Sequence, residues 1–301
     1  MATTNILNTD RLSRRYGRRI GVDAIDLEVG EGEIFGFLGP NGSGKTTTIR
    51  LLLGFLRPHG GRASICGFDC WRQSPQVKRD VGYLPGDLRL YSWFTASNAL
   101  TIVGQVRGMD LAKAGAALAE RFQLEMDLRV RKMSRGMRQK LGLILALVHQ
   151  PRLLILDEPT SGLDPLMQVE LADVLRERAA AGQTVFFSSH TLSEVQHLCD
   201  RVAILRQGRV IADERLETLR GRARRTVELV LADEDAAARI SLPGFLQLAR
   251  RDRCRLTCEL DGPTGPLVHW AAGQSLVDIT IGPPDLESLF EKFYKSPDGV
   301  V

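Results

Sequence analysis

No apolar run in this chain approaches the ~18 residues that a membrane-crossing helix needs. The best stretch, residues 141–148, stops at His149 and reads as a buried helix. Residues 1–10 lack the charged-then-apolar layout of a secretory leader. Together these absences predict a chain that stays in the cytoplasm unless another molecule tethers it. Cysteine is sparse, five in 301 residues. Cys66/Cys70 and Cys254/Cys258 are four apart, wider than common zinc or thioredoxin motifs, so reduced thiols are expected. An excess of one charge is missing too: 40 basic residues against 36 acidic ones leave a net charge of +4. That balance does not argue for nucleic acid, and no nucleic-acid partner is expected. There is no internal repeat, so one functional unit per chain is expected.

What is present is an ordinary globular composition, 44% hydrophobic and 25% charged, with room for roughly two domains. Short strands are expected over residues 6–29, then a buried strand over 33–38, a glycine-rich turn and a helix over 46–56. Strands over 62–66 and 81–84 precede a mostly helical region, about 87–150. Next come a strand (152–156), a helix (167–180), a strand (184–188), a helix (192–198) and hairpin strands (201–205 and 209–213). Alternating strand and helix predicts a sheet covered on both faces. A basic connector over 221–225 divides the chain into residues 1–220 and 221–301. The second part reads β-α-β-β-α-β, a small two-layer α+β, ferredoxin-like appendage.

Two segments carry chemistry. Residues 39–46, Gly-Pro-Asn-Gly-Ser-Gly-Lys-Thr, fit the G-x-x-x-x-G-K-[ST] pattern between an apolar strand and a helix. Gly39, Gly42 and Gly44 let backbone N–H groups turn inward, with Asn41 and Ser43 between them. The helix that follows points its positive end at an anion. Lys45 supplies a point charge for β- and γ-phosphates, and Thr46 offers a hydroxyl to Mg²⁺, with Thr47 beside it in the same turn. The second segment, Leu153-Leu154-Ile155-Leu156-Asp157-Glu158, is a buried strand that delivers two acids to the sheet's carboxyl edge. Neighbouring strand residues point opposite ways, so Asp157 can serve the Mg²⁺ shell while Glu158 faces water as a general base.

At these residues the chain resembles the ATP-binding-cassette (ABC) ATPases, over about residues 5–215. Met133-Ser134-Arg135-Gly136-Met137 resembles the family's signature sequence in a divergent form, and Ser161-Gly162-Leu163-Asp164 resembles its D-loop. His190 stands at the place of the switch histidine, Tyr16 at that of the adenine-stacking aromatic. The resemblance implies an α/β fold: a P-loop NTPase core with a mixed sheet, an antiparallel β subdomain and a helical subdomain. It implies ATP and Mg²⁺ as cofactors, with Lys45, Glu158 and His190 as catalytic residues. It also implies a head-to-tail pair of chains, in which Ser134, Gly136 and Asp164 of one copy face the ATP of the other. Each has a plainer reading: Tyr16 as a strand aromatic, His190 as a helix-cap residue, Asp164 as an interface residue. Residues 83–85, 90–91, 134–137 and 285–290 are similar to the antibiotic and daunorubicin-exporter branch, in which a separate integral membrane permease forms the pore. Such a subunit sits peripherally on the inner face of the cell membrane. Gly86 departs from the pattern, since the family usually has a metal-touching glutamine there. Glycine cannot coordinate metal, so the metal role of this loop is left open, with Asp87 reaching the metal through water as one alternative. The alternative reading is a non-transport ABC ATPase acting on nucleic acid or ribosomes.

Overall fold

The computed structural model describes residues 5–295, which divide into two compact units between Asp213 and Glu214. The first unit opens with β1 (Asn5–Tyr16), β2 (Arg19–Gly30), β3 (Ile34–Leu38), α1 (Lys45–Leu52), β4 (Gly60–Ile65) and β5 (Phe68–Asp69). Next come α2 (Ser74–Asp80), β6 (Val81–Leu84), α3 (Ala96–Arg107), α4 (Ala112–Arg121) and α5 (Arg135–Leu147). The unit continues through β7 (Leu153–Asp157), α6 (Pro165–Ala180), β8 (Thr184–Ser189), α7 (Leu192–Leu198), β9 (Arg201–Arg206) and β10 (Arg209–Arg215).

Six strands form the central sheet in the order β10-β9-β3-β8-β7-β6, and β9, β3, β8, β7 and β6 run parallel. Their composition explains their place. β3, β7 and β8 are buried at every residue, as a parallel sheet covered on both faces demands. Phe186 stacks on Phe35 at 5.6 Å and tilts against Phe37 at 5.1 Å, which fixes the register of β8 against β3. Burying each such ring stabilises the unit by roughly 1.5–3 kcal/mol. A second sheet, ordered β2-β1-β4-β5, is antiparallel. Its inward side chains, among them Leu7, Val22, Ile25 and Ile65, share one core with β3 and α1.

Helices α3, α4 and α5 make up the expected helical region. Thr95 and Ser134 cap α3 and α5 by accepting from the N–H groups of Asn98 and Met137. Arg121 on α4 is tied to α6 by a two-pronged ion pair with Glu177 (2.5 and 2.7 Å) and by a further contact with Glu170. Such a fork holds geometry better than a single charged contact.

Three local expectations differ from the structure. The helix expected over 46–56 ends at Leu52, because Gly54 turns to φ 65° where an added Cβ would strike the Cys70 carbonyl at 2.4 Å. β5 and α2 were not foreseen, since two residues are too short for a readable strand period. Residues 221–222 of the expected connector instead complete a helix.

The second unit runs α8 (Leu216–Arg222), β11 (Arg225–Leu231), α9 (Glu234–Arg239), β12 (Leu246–Asp252), β13 (Arg255–Leu260), α10 (Thr264–Ala272), β14 (Leu276–Pro284) and α11 (Leu286–Lys295). Its sheet is ordered β12-β13-β11-β14 and every pairing is antiparallel. Val227, Leu229 and Leu231 alternate along β11 with outward residues, and they pack with Leu256, Cys258 and Leu260 of β13 and Leu267 of α10. This is the small α+β unit that the β-α-β-β-α-β order predicts. All five cysteines are unpaired; burial pushes the Cys70 thiol up to about 12.

Candidate nucleotide site

The site lies at the carboxyl edge of the central sheet. β3 ends at Leu38 and the chain enters the glycine-rich loop, held at its start by the Gly39 N–H donating to the Ser189 carbonyl at 3.1 Å. Gly42 and Gly44 take φ 81° and 115°, backbone that an L side chain resists. At Gly39 an added Cβ would lie 2.5 Å from the Leu205 carbonyl and 2.6 Å from Ser43 Oγ. The loop is therefore sterically closed on its inner side, and Asn41 is exposed on its outer side. Lys45 opens α1 and is only 5% exposed. Its Nζ donates to the Gly39 carbonyl at 2.6 Å and lies 3.5 Å from Glu158 Oε1. Ser43 Oγ is buried and has no hydrogen-bond partner among the described residues. An orphaned buried hydroxyl costs about 1–3 kcal/mol, and an oxygen-rich ligand in the loop would supply its partner.

The carboxylates arrive from β7. Asp157 is 2% exposed; its two oxygens accept from Thr46 Oγ1 at 2.9 Å and Ser188 Oγ at 2.6 Å. Strand alternation does not separate Glu158 from Asp157, because β7 ends at Asp157 and Glu158 turns to φ 52°. For a non-glycine residue that turn stores roughly 1–3 kcal/mol, a cost met where function fixes the geometry. It swings the Glu158 carboxylate over, 3.3 Å from His190 Nδ1 as well as 3.5 Å from Lys45. Lys45, Thr46, Asp157, Glu158 and His190 thus converge on one edge, and Thr47 follows half-buried in the same helical turn. Such a set can cradle polyphosphate, offer hard oxygens to a cation, and present a carboxylate to a water. Among the described residues no group of three or more His, Cys, Asp or Glu could hold a metal ion. Thr46 and Asp157 offer a hydroxyl and a carboxylate, hard oxygens of the kind that would hold Mg²⁺.

Other expected residues lie elsewhere. Tyr16 ends β1 at 44% exposure with its ring over Gly21, whose carbonyl approaches the Gly44 position of the loop. Ser134 and Asp164 cap α5 and α6, accepting from the N–H groups of Met137 and Met167. Gly136 backs onto the Gly162 carbonyl, where a Cβ would sit at 2.6 Å. Among the described residues no hydrogen bond or ion pair joins Ser134, Gly136 or Asp164 to the glycine-rich loop. Gly86 lies near Asp157: an added Cβ there would sit 3.4 Å from Asp157 Oδ2. Asp87 does not join the site: it is exposed and paired with Arg89 at 3.0 Å. Arg135 is exposed and donates to Ser161 Oγ at 2.6 Å.

Several groups at the site were not read from the sequence. Ser188 grips Asp157, and its only signal was a serine pair closing an apolar strand before His190. Glu194 on α7 accepts from Thr160 at 2.8 Å and Ser189 at 2.5 Å, joining the loops that carry Glu158 and His190. No periodicity marks that link.

Comparison with known proteins gives concordant results. The family model described as ABC transporter matches residues 22–161. A bacitracin transport ATP-binding protein from Bacillus licheniformis is 37% identical over 237 residues, covering 78% of each chain. A Nod factor export ATP-binding protein from Cupriavidus pinatubonensis is 35% identical over 297 residues, 97% of this chain and 91% of that one. A solved ATP-binding subunit of an ABC transporter superposes with a TM-score of 0.68 at 30% identity, covering 71% of this chain and 92% of its own.

Proposed function

This chain belongs to the ATP-binding proteins of the ABC transporter family, and we propose that it is the ATP-hydrolysing subunit of an exporter whose pore is a separate integral membrane permease. The relatives named for bacitracin transport and Nod factor export support the export direction. Among the described residues no helix is long and apolar enough to cross a membrane, consistent with a permease on another chain. The chain then works at the inner face of the cell membrane, and the exported compound is recognised by the permease.

The observation that carries the reading is the convergence of Lys45, Thr46, Asp157 and Glu158 beside a loop with an orphaned hydroxyl. Lys45 leaves the Gly39 carbonyl to meet the β- and γ-phosphates, a better partner for an ammonium than a neutral oxygen. Ser43 and the loop backbone orient the phosphate chain, and Tyr16 stacks on the adenine. Mg²⁺ held by Thr46, Asp157 and phosphate oxygens would neutralise charge on the triphosphate. Glu158 takes a proton from the attacking water as the water's oxygen bonds to the γ-phosphorus and the bond to the ADP oxygen breaks. His190, in hydrogen-bonding reach of Glu158, fixes the carboxylate's orientation and reaches toward the transferred phosphoryl group.

A second copy completes the site. Ser134 and Gly136 sit at the start of the 13-residue helix α5, where free N–H groups and the dipole favour an anion. Among the described residues neither is joined to the loop of its own chain, and the helix start suits the anion of a partner packed head to tail, with Asp164 ordering the interface. ATP then holds two chains together and hydrolysis releases them, a ligand-driven two-state switch.

Glu158→Gln removes the base and keeps the shape. Turnover is expected to fall by about 10²–10⁴-fold, with nucleotide binding intact and a stable dimer in ATP. Turnover at the parent rate would refute the base. Recovery of the native protein from membranes is expected to bring a multi-spanning partner; RNA or ribosomes in its place would refute the exporter reading.

A further inference from the structure

Gln139 lies in the second turn of α5, just behind Ser134 and Gly136, and is 6% exposed. Its Nε2 donates to two main-chain oxygens, the Glu158 carbonyl at 3.3 Å and the Pro159 carbonyl at 3.0 Å. Both partners accept only, so the amide nitrogen, and not the amide oxygen, must face them. The peptides it grips form the turn that gives Glu158 its φ of 52°. Within the loop the Glu158 N–H donates to the Ser188 carbonyl at 3.1 Å and the Ser161 N–H to the Glu158 carbonyl at 3.2 Å. Gln139 adds an anchor from a separate helix. Arg135 to Ser161 and Gly136 against Gly162 extend the same seam.

We propose that Gln139 is a positioning residue: it pins the turn that aims the Glu158 carboxylate and ties that turn to the helix bearing Ser134 and Gly136. This rests on Glu158 being the base. Gln139 touches neither phosphate nor water; it acts through the Glu158 and Pro159 peptides. A left-handed turn on an L residue persists only while its surroundings over-determine it. Without the amide the two carbonyls lose a donor and Glu158 relaxes toward negative φ, moving its carboxylate away from Lys45 and His190. A misplacement of about 1 Å at a reacting group costs on the order of 10²-fold in rate. Among the described residues no hydrogen bond joins Gln139 to the loop around Ser43, Lys45 and Thr46, so substrate affinity is expected to be insulated from the change. The link also carries a mechanical consequence. Movement of the Glu158 turn in one site reaches the helix start that faces the partner's nucleotide.

The test uses the full chain and two variants matched in size. Gln139→Met keeps length and bulk but has no donor. Its kcat is expected to fall by roughly 10–100-fold, with KM for ATP and nucleotide affinity within about twofold of the parent. Gln139→Glu keeps the shape and donates one hydrogen bond only while its carboxyl is neutral. Its kcat is therefore expected to rise toward the parent value as pH falls and to collapse as pH rises, a limb that parent and Gln139→Met lack. A role in packing alone would give no such limb, since the two side chains have the same shape. Gln139→Met turning over at the parent rate would overturn the proposal. So would equal losses of kcat and nucleotide affinity in both variants with no recovery of Gln139→Glu at low pH. Glu158→Gln, assayed alongside, separates the two readings: full turnover there refutes the base itself, whatever Gln139 does.

Discussion

The two units bury different things. Every buried polar or charged residue among those described, including Ser43, Lys45, Gln139, Asp157 and Ser188, belongs to the unit ending at Asp213. Among the described residues the unit beginning at Glu214 buries only apolar side chains, and charged pairs such as Arg224 with Glu259 stay at the surface. Burying polar groups costs stability unless each finds a partner, so a fold keeps them where they act. The first unit holds an orphaned hydroxyl, a buried lysine and a strained glutamate at one sheet edge. The second is built as an ordinary packed layer, whose core has the composition of a structural element.

That contrast can be broken by experiment. Leu229, fully buried in the second unit, is expected to cost about 2–5 kcal/mol on truncation to alanine. The loss should appear in denaturant unfolding, with nucleotide affinity unchanged; a parallel fall in affinity would dissolve the distinction. Lys45→Ala should do the reverse. Losing a charge-assisted contact worth about 1.5–3 kcal/mol weakens ATP binding roughly 10–100-fold, while the unfolding midpoint moves little. Titration with a fluorescent nucleotide checks the first and denaturant unfolding the second; unaltered affinity would refute the cradle.

The smallest effect concerns His149, a buried polar residue of the first unit away from the site. Burial first, and then the nearby Arg107 charge, pulls it from 6.5 down to about 4. Between those values the unfolded chain binds a proton that the folded chain refuses, so stability rises with pH and is lost as pH falls from about 6.5 toward 4. His149→Gln should flatten that limb for the first unit. Unfolding curves at pH 7 and pH 5 for parent and variant measure it, and an unchanged acid limb would assign the loss to other groups. Among the described residues the second unit has no buried histidine, so no limb from this source is expected there.

Much of the first unit was readable because its chemistry is local. A glycine-rich loop between strand and helix, and two acids closing an apolar strand, are short patterns that physics ties to anion binding and to a sheet edge. The central strands announced themselves as unbroken apolar runs. The antiparallel sheet was harder: register shifts along β1 blur its alternation, and β5 is two residues long. In the second unit the order of elements was enough to predict an α+β layer.

The misreadings share a cause. The alternative of Asp87 beside a metal stayed open because its pairing with Arg89 depends on how an exposed loop folds back. Glu158 looked like a strand residue, and its left-handed turn follows from anchors on β8 and α5 that no local window contains.

By itself the sequence determined what kinds of group this protein can use: a loop that wraps phosphate, a lysine behind it, two carboxylates after a buried strand, a histidine after the next. Those follow from covalent spacing and from which residues water expels. Only the tertiary structure decided where the groups point. The direction of Glu158, the grip of Ser188 on Asp157 and the hold of Gln139 on two carbonyls are long-range hydrogen bonds. Their partners are chosen by packing, and packing depends on the whole chain at once.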